Sequence, residues 1–340
     1  MDATLLLAAG GLLALALGHG IFSDDDDDSD SILSAPDLPE DAEGTNGDDV
    51  ITQYDPSRDD GVLLAGAGDD LVELDDLENM LADLGPGDDT ITGEDYDNVE
   101  VRAGEGDDLV RVDDPTGGLF DLGPGNDTIT GDDYRGVKIT AGDGDDTVML
   151  EESARVVIHG GAGNDDITLI DGTLNAVELG GGQNSVIHGG AGDDHIRLVD
   201  TEAAGHRYDE NDVLTAVGGP LLTGGEGDDI FEISLAPDEN AQTLYTGEIV
   251  GDEVHKVASY SNAASITDFE PGTDRLVIDP TTYAGDATYT GYEIVQDPTT
   301  GHAEIVFNYT RPGYPDGLAM SVQIHGGKIT EADIEIIAPA

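Results

Sequence analysis

Pairs of acidic residues close a glycine turn at a fixed interval along this chain, and carboxylates so arranged can hold a hard divalent cation. The turns are Gly66-Ala67-Gly68-Asp69-Asp70, Gly85-Pro86-Gly87-Asp88-Asp89, Gly104-Glu105-Gly106-Asp107-Asp108, Gly123-Pro124-Gly125-Asn126-Asp127, Gly142-Asp143-Gly144-Asp145-Asp146 and Gly161-Ala162-Gly163-Asn164-Asp165. Their closing aspartates are 19 residues apart throughout. A weaker copy, Thr45-Asn46-Gly47-Asp48-Asp49, lies 21 residues before the first, and Gly180-Gly181-Gly182-Gln183-Asn184 follows the sixth. Stacked carboxylates ~5 Å apart repel by about 1 kcal/mol in water and by several at a protein-like dielectric. A chain that repeats this juxtaposition needs positive charge between its coils. Carboxylate and carbonyl oxygens on a flexible turn favour Ca²⁺, whereas Mg²⁺ asks for a stricter octahedron with several waters. The Gly-x-Gly pair supplies positive φ and lets the backbone approach an ion that a Cβ would hold off.

The elements that must carry these turns follow from the residues between them. Two positions after each closing residue stands an apolar, mostly β-branched side chain: Ile51, Val72, Ile91, Val110, Ile129, Val148, Ile167 and Val186. Such residues suit a pleated strand. The second half of each coil has its own short alternation, as in Val99-Glu100-Val101, Val137-Lys138-Ile139 and Val156-Val157-Ile158. Each coil therefore reads as turn, strand, turn, strand, and a fixed period of this length marks a solenoid. The expected fold is all-β, a parallel β-roll or β-solenoid of 19-residue coils over residues 44–234, with neighbouring coils ~4.8 Å apart.

The turns resemble the nonapeptide repeat of RTX (hemolysin-type) calcium-binding proteins, Gly-Gly-x-Gly-x-Asp-x-apolar-x. Gly160-Gly161-Ala162-Gly163-Asn164-Asp165-Asp166-Ile167, Gly189-Gly190-Ala191-Gly192-Asp193-Asp194-His195-Ile196 and Gly224-Gly225-Glu226-Gly227-Asp228-Asp229-Ile230-Phe231 match it in full. The resemblance implies Ca²⁺ ions between successive turns, held by turn carbonyls and by the aspartate at the sixth position. Carried over by position, it nominates Asp49, Asp70, Asp89, Asp108, Asp127, Asp146, Asp165, Asp194 and Asp229. The glycines nominated with them are Gly68, Gly87, Gly106, Gly125, Gly144, Gly163, Gly192 and Gly227. RTX arrays mostly carry the motif on both edges of the roll. Residues 45–184 carry it once per coil, which implies several ions in a ladder on one edge. Asn184 is a poor anionic ligand, so the ladder is expected to weaken there. Asp194 follows only ten residues later, which suggests that the calcium edge changes side.

The chain has 340 residues, no Cys, no Trp and a formal charge of −63. The acids stand in register with glycines and aliphatics, which argues against disorder over most of the chain, while a halophilic surface is compatible with calcium sites. Without Cys, metal rather than disulfides is the expected staple of a thin fold. The charge argues against nucleic acid and against anionic membrane surfaces as partners. Residues 3–22 are apolar and long enough to span a bilayer as a helix. A cleavable signal peptide with Ala14-Leu15-Ala16 at its end is the rival reading, though Asp2 stands where a basic residue belongs. Residues 1–22 thus read as an anchor or signal, giving membrane attachment, and 23–43 as an acidic disordered linker.

After Phe231 the period stops, and residues 235–340 read as a β-rich cap. Within it Ala264–Ile278 suggests a strand, a Pro-Gly turn and a strand, and Tyr292–Val295 with Ala303–Phe307 suggests a hairpin. The stretch Ile266-Thr267-Asp268-Phe269-Glu270-Pro271-Gly272-Thr273-Asp274-Arg275 resembles the region after the repeats in type I secreted RTX proteins. It implies a C-terminal export signal, the type I secretion machinery as a partner, and an extracellular or cell-surface location. The chain has no His-Glu-x-x-His pair, no Gly-x-Ser-x-Gly elbow and no thiol, so the expected protein is not an enzyme. It binds calcium and folds on doing so. The alternative is a secreted carbohydrate-active enzyme, a polysaccharide lyase or epimerase on a β-solenoid; its weakness is a supply of only 12 Lys and Arg to neutralise an acidic substrate. Calcium-dependent self-association is a further expectation. Residues 199–223 interrupt the repeat and read as an ordinary loop or a graft for a binding site.

Overall fold

The computed structural model describes residues 4–6, 14–16, 32–34, 41–53, 58–170, 185–202, 207–208, 214–215, 219–237, 244–250, 253–259, 261–297 and 300–337. Among them there is no α-helix, only a 3₁₀ turn at Glu331–Asp333, and the rest of the regular structure is β. The chain divides into two compact units, residues 1–151 with 156–166, and residues 152–155 with 167–340.

In the first unit the chain alternates between two parallel sheets. One contains Val50–Gln53, Leu71–Leu74, Thr90–Glu94, Leu109–Asp113, Thr128–Asp132 and Thr147–Glu151. The other contains Arg58–Leu64, Leu77–Pro86, Glu100–Glu105, Leu119–Pro124, Lys138–Asp143 and Val157–Ala162. Residues one coil apart pair directly, as in Ile91 with Val110, Val110 with Ile129 and Ile129 with Val148. The register is firm because a one-residue slip would turn every inward aliphatic outward. Ile51, Val72, Ile91, Val110 and Ile129 are wholly buried, and so are Val101, Phe120, Ile139 and Ile158 of the facing sheet.

A finer complementarity operates over two coils. Gly93 and Gly131 leave room that the buried Tyr96 and Tyr134 fill: a Cβ on Gly93 would fall 2.5 Å from the Tyr96 hydroxyl, and one on Gly131 2.7 Å from the Tyr134 ring. The coils that alternate with them have Leu74, Val112 and Leu150 at the glycine position. Bulk moves from one column to the next, and packing density is kept.

The second unit continues parallel stacking with longer, unequal coils. Val186–Ala191 pairs with Leu221–Glu226, which pairs with Ser261–Ile266, which pairs with Tyr314–Ile324. On the facing sheet His195–Glu202, Ile230–Ala236, Arg275–Asp279 and Ile334–Ile336 follow in the same way. Parallel pairing thus runs on past residue 234, into the segment expected to be only a cap. The extra length is spent on antiparallel excursions: Leu244–Val250 with Glu253–Ser259, and Thr288–Gln296 with Ala303–Arg311. The latter is the expected hairpin, with Val295 opposite Glu304. The strands at Ser261–Ile266 and Arg275–Asp279 flank the expected turn but lie in different sheets, so the Pro-Gly turn is a corner of a coil.

Three expectations require correction. Val186 does not stand in the inward column; it is partly exposed, and Ile187 is the buried neighbour. Its strand repeats Val157-Ile158-His159-Gly160-Gly161-Ala162-Gly163 as Val186-Ile187-His188-Gly189-Gly190-Ala191-Gly192. The true counterpart of the column is Ile196, two residues after Asp194. The Asp194 turn therefore occupies the same half of its coil as the earlier turns, and the expected change of edge is absent. Asn184 lies outside the described residues. Second, the linker expected over 23–43 includes Ile32–Ser34, paired with Val50–Thr52, and Asp41–Glu43, paired with Val62–Leu64. Third, the described parts of the segment 3–22 are strands, Thr4–Leu6 antiparallel to Ala14–Ala16, where a spanning helix was expected. Among the described residues no helix is long and apolar enough to cross a membrane. Most of 203–218 also lies outside the described residues.

Candidate metal centre

Each glycine turn of the first unit leads from a strand of one sheet into a strand of the other, so the closing aspartates stack in a column. Asp49, Asp70, Asp89, Asp108, Asp127, Asp146 and Asp165, with Asp194 and Asp229 of the second unit, are each only 1–3 % exposed. Such burial is exceptional for a carboxylate. One oxygen each of Asp70, Asp89, Asp108, Asp127, Asp146, Asp165 and Asp229 is accounted for. Oδ1 of Asp70 accepts from the backbone N–H of Asp49 at 2.7 Å, and Oδ1 of Asp89 from that of Asp70 at 2.7 Å. The series continues through Asp108, Asp127, Asp146 and Asp165 at 2.8, 2.8, 2.7 and 3.0 Å. In the second unit Asp229 accepts from the Asp194 amide at 3.0 Å.

The other oxygen is not satisfied in the same way. Oδ2 of Asp70, Asp89, Asp108, Asp127 and Asp146 is buried with no hydrogen-bond partner. A buried anionic oxygen without a partner costs several kcal/mol unless a cation or a proton meets it. The acidities reflect this. Burial, reinforced by neighbouring carboxylates and opposed by the amide bonds, pushes Asp70, Asp108 and Asp146 up to about 7, and Asp89, Asp127 and Asp229 up to about 6. Asp165 is raised for the same reasons. A site that disfavours its own charge and offers a column of hard oxygen donors fits a multivalent oxygen-loving cation.

The penultimate acids form a second ladder of opposite sense on the exposed side. Here the side chain of one coil accepts from the next coil: Asp48 from the amide of Asp69, Asp69 from Asp88, and Asp88 from Asp107, at 2.9, 3.0 and 2.9 Å. The ladder then runs through Asp107, Asn126 and Asp145 at 2.7, 3.0 and 2.8 Å. Asn126 and Asn164 are tolerated because this position needs only a neutral or charged acceptor, whereas the buried position is aspartate throughout.

Gly68, Gly87, Gly106, Gly125, Gly144, Gly163, Gly192 and Gly227 all have positive φ. A Cβ on Gly106 would lie 1.9 Å from the Gly87 carbonyl oxygen, so the glycine column lets successive turns close on one another.

The structure also brings in residues that the repeat does not announce. Asp274, 5 % exposed, accepts from the Asp229 amide at 3.3 Å and from the Glu270 amide at 2.8 Å, standing one rung after Asp229. Asp268 accepts from the amides of Gly224 and Gly225 at 3.1 and 2.9 Å. Asp274 follows Asp229 by 45 residues and has no Gly-x-Gly before it, so periodicity could not find it. The one available signal was the aspartate pair of the Asp268–Asp274 stretch.

A parallel β-roll whose turns stack buried aspartates along an edge defines a class of fold: a solenoid built from glycine-aspartate repeats, with an oxygen-rich column suited to a hard cation. The family model for the RTX calcium-binding nonapeptide repeat (4 copies) matches residues 153–169 and 179–198. The chain therefore carries RTX calcium-binding repeats, which support calcium as a ligand. No curated protein and no solved structure matches it.

Proposed function

We propose that the turn aspartates bind a series of Ca²⁺ ions between successive coils and that this ligation drives folding of a non-catalytic protein working outside the cytoplasm. The observation that carries the reading is the column of unpartnered buried Oδ2 atoms on Asp70, Asp89, Asp108, Asp127 and Asp146. Bound Ca²⁺ supplies the positive charge these oxygens lack. The chain's own residues do the rest. The Oδ1–amide bonds orient each carboxylate, the glycines admit close stacking, and the aliphatic columns exclude water from one side of the aspartates. Weak extracellular-type sites have affinities near ~0.1 mM, and millimolar calcium then stabilises by about 1.4 kcal/mol per site. Several coupled sites reach the scale of a domain's whole stability.

Export in a calcium-poor, loosely folded state through the type I machinery fits this dependence, as does function at the cell surface or in the medium. The test is far-UV circular dichroism of the full chain titrated with Ca²⁺ and, separately, with Mg²⁺. A cooperative gain of β signal with Ca²⁺ alone is expected. A β signal and a urea midpoint that Ca²⁺ leaves unchanged would make the aspartates a merely acidic face. A screen for alginate and pectate turnover is expected to show none, and turnover there would favour the polysaccharide-enzyme alternative.

A further inference from the structure

The second unit contains a donor pair of a different chemistry, remote in sequence from the glycine turns. Ala303 pairs with Ile324 across antiparallel strands, so His302 and His325 stand opposite one another at the strand ends. Their rings lie 4.6 Å apart, centroid to centroid, inclined at 66°.

Both backbones are pinned. The His302 carbonyl accepts from the Asp297 amide at 2.8 Å and from the Gln296 side chain at 3.2 Å. The His302 amide donates to Thr300 Oγ1 at 3.3 Å, and the His325 amide donates to the Ile266 carbonyl at 2.8 Å. The rings border a cavity of about 280 Å³ that Asp297, Glu304 and Gln323 also line.

We propose that His302 and His325 form a second kind of metal site, an open two-nitrogen site for a divalent transition-metal ion such as Zn²⁺, Ni²⁺ or Cu²⁺. Imidazole nitrogen is a borderline donor that selects these ions over Ca²⁺, which takes oxygen. Metal–nitrogen bonds of ~2 Å can be made to one ion by two rings already in contact, with rotation of the side chains alone. Water supplies the remaining positions of such an open site. The bound ion would clamp the ends of the strands Ala303–Arg311 and Tyr314–Ile324, closing a hairpin that is otherwise held only by hydrogen bonds and packing.

The experiment is calorimetric titration of the full chain with Zn²⁺ in millimolar Ca²⁺, which occupies the carboxylate column, for wild type, His302→Ala and His325→Ala. The wild type is expected to show a Zn²⁺ event that Ca²⁺ does not displace. Either substitution is expected to weaken it by at least ~10–100-fold, the loss usual even for an outer partner of a metal ligand. His302 is exposed and His325 half-buried, so both variants should keep the wild-type circular dichroism spectrum. If His325→Ala does not fold, His325→Gln takes its place. An unchanged Zn²⁺ affinity in folded variants at both positions, or competition of Ca²⁺ for the same event, overturns the site and leaves the rings as a packing contact.

Discussion

Replacing Asp108 by Asn separates the two roles the structure gives this residue. The substitution keeps an oxygen at Oδ1, which accepts the Asp89 amide at 2.8 Å, and removes the charge at the buried Oδ2. In chelator at pH 8 the wild-type carboxylate is ionised against a folded-state pKa pushed up to about 7. At about 1.4 kcal/mol per pKa unit, the penalty relieved is on the order of 2–4 kcal/mol. Against it stands a buried amide N–H without an acceptor, costing ~1–3 kcal/mol. The variant should therefore be about as stable as wild type, or slightly more so, when calcium is absent.

With calcium the balance reverses. If ions lie between successive coils, Asp108 serves the gaps on either side of its turn. At tenfold over the dissociation constant each lost site removes ~1.4 kcal/mol, so two remove ~3 kcal/mol. The assay is urea unfolding followed by circular dichroism, in chelator and in millimolar Ca²⁺, with the calcium gain in midpoint compared between the two proteins. A variant equally destabilised in both conditions would refute the reasoning, since Asp108 would then act only as an acceptor for the amide.

Other perturbations test the same geometry from different sides. The ladder pKa values of about 6–7 exceed the ordinary 3.8, so the calcium-free folded chain binds more protons than the unfolded one. The ladder's contribution is thus full below pH ~4 and lost as pH rises through ~7. Urea midpoints in chelator should fall from pH 5 to pH 8, and calcium affinity should rise over that range; flat midpoints would contradict the burial argument. Gly104→Ala places a Cβ 1.6 Å from the Gly85 carbonyl oxygen at φ +128°, whereas Gly136→Ala at φ +69° meets nothing within 4 Å. The first should cost at least ~3 kcal/mol in thermal or urea unfolding, and the second only the ~1–2 kcal/mol of a left-handed alanine. Asp274→Ala removes the acceptor of the buried Asp229 amide and of the more exposed Glu270 amide, and should destabilise the folded chain by ~1–3 kcal/mol in urea titrations, chiefly through the Asp229 amide. A result within error of wild type would remove Asp274 from the ladder.

Much of this protein is determined by the chain read alone. The 19-residue spacing, the aliphatic two places after each aspartate and the Gly-x-Gly pair specify a coil, because each coil repeats the same local problem with the same local answer. Ile91, Val110 and Ile129 had to stack, and Asp89, Asp108 and Asp127 had to follow them. The nearly invariant aspartate at one position and the Asp/Asn mixture before it were visible too, but their meaning was not. Only the fold shows that the first is buried with an unpartnered oxygen, while the second is an exposed acceptor that asparagine serves equally well.

Where the period fails, local reading fails with it. Val186 was placed two residues after a turn by counting, but pairing with Leu221 assigns its strand to the other half of the coil. Asp274 joins the ladder across 45 residues, and His302 meets His325 across a hairpin. Such contacts are made by parallel pairing and strand register, which bring together residues whose separation in sequence is set by insertions of arbitrary length. Periodic spacing encodes the repeating contact, and tertiary structure alone decides the contact that occurs once.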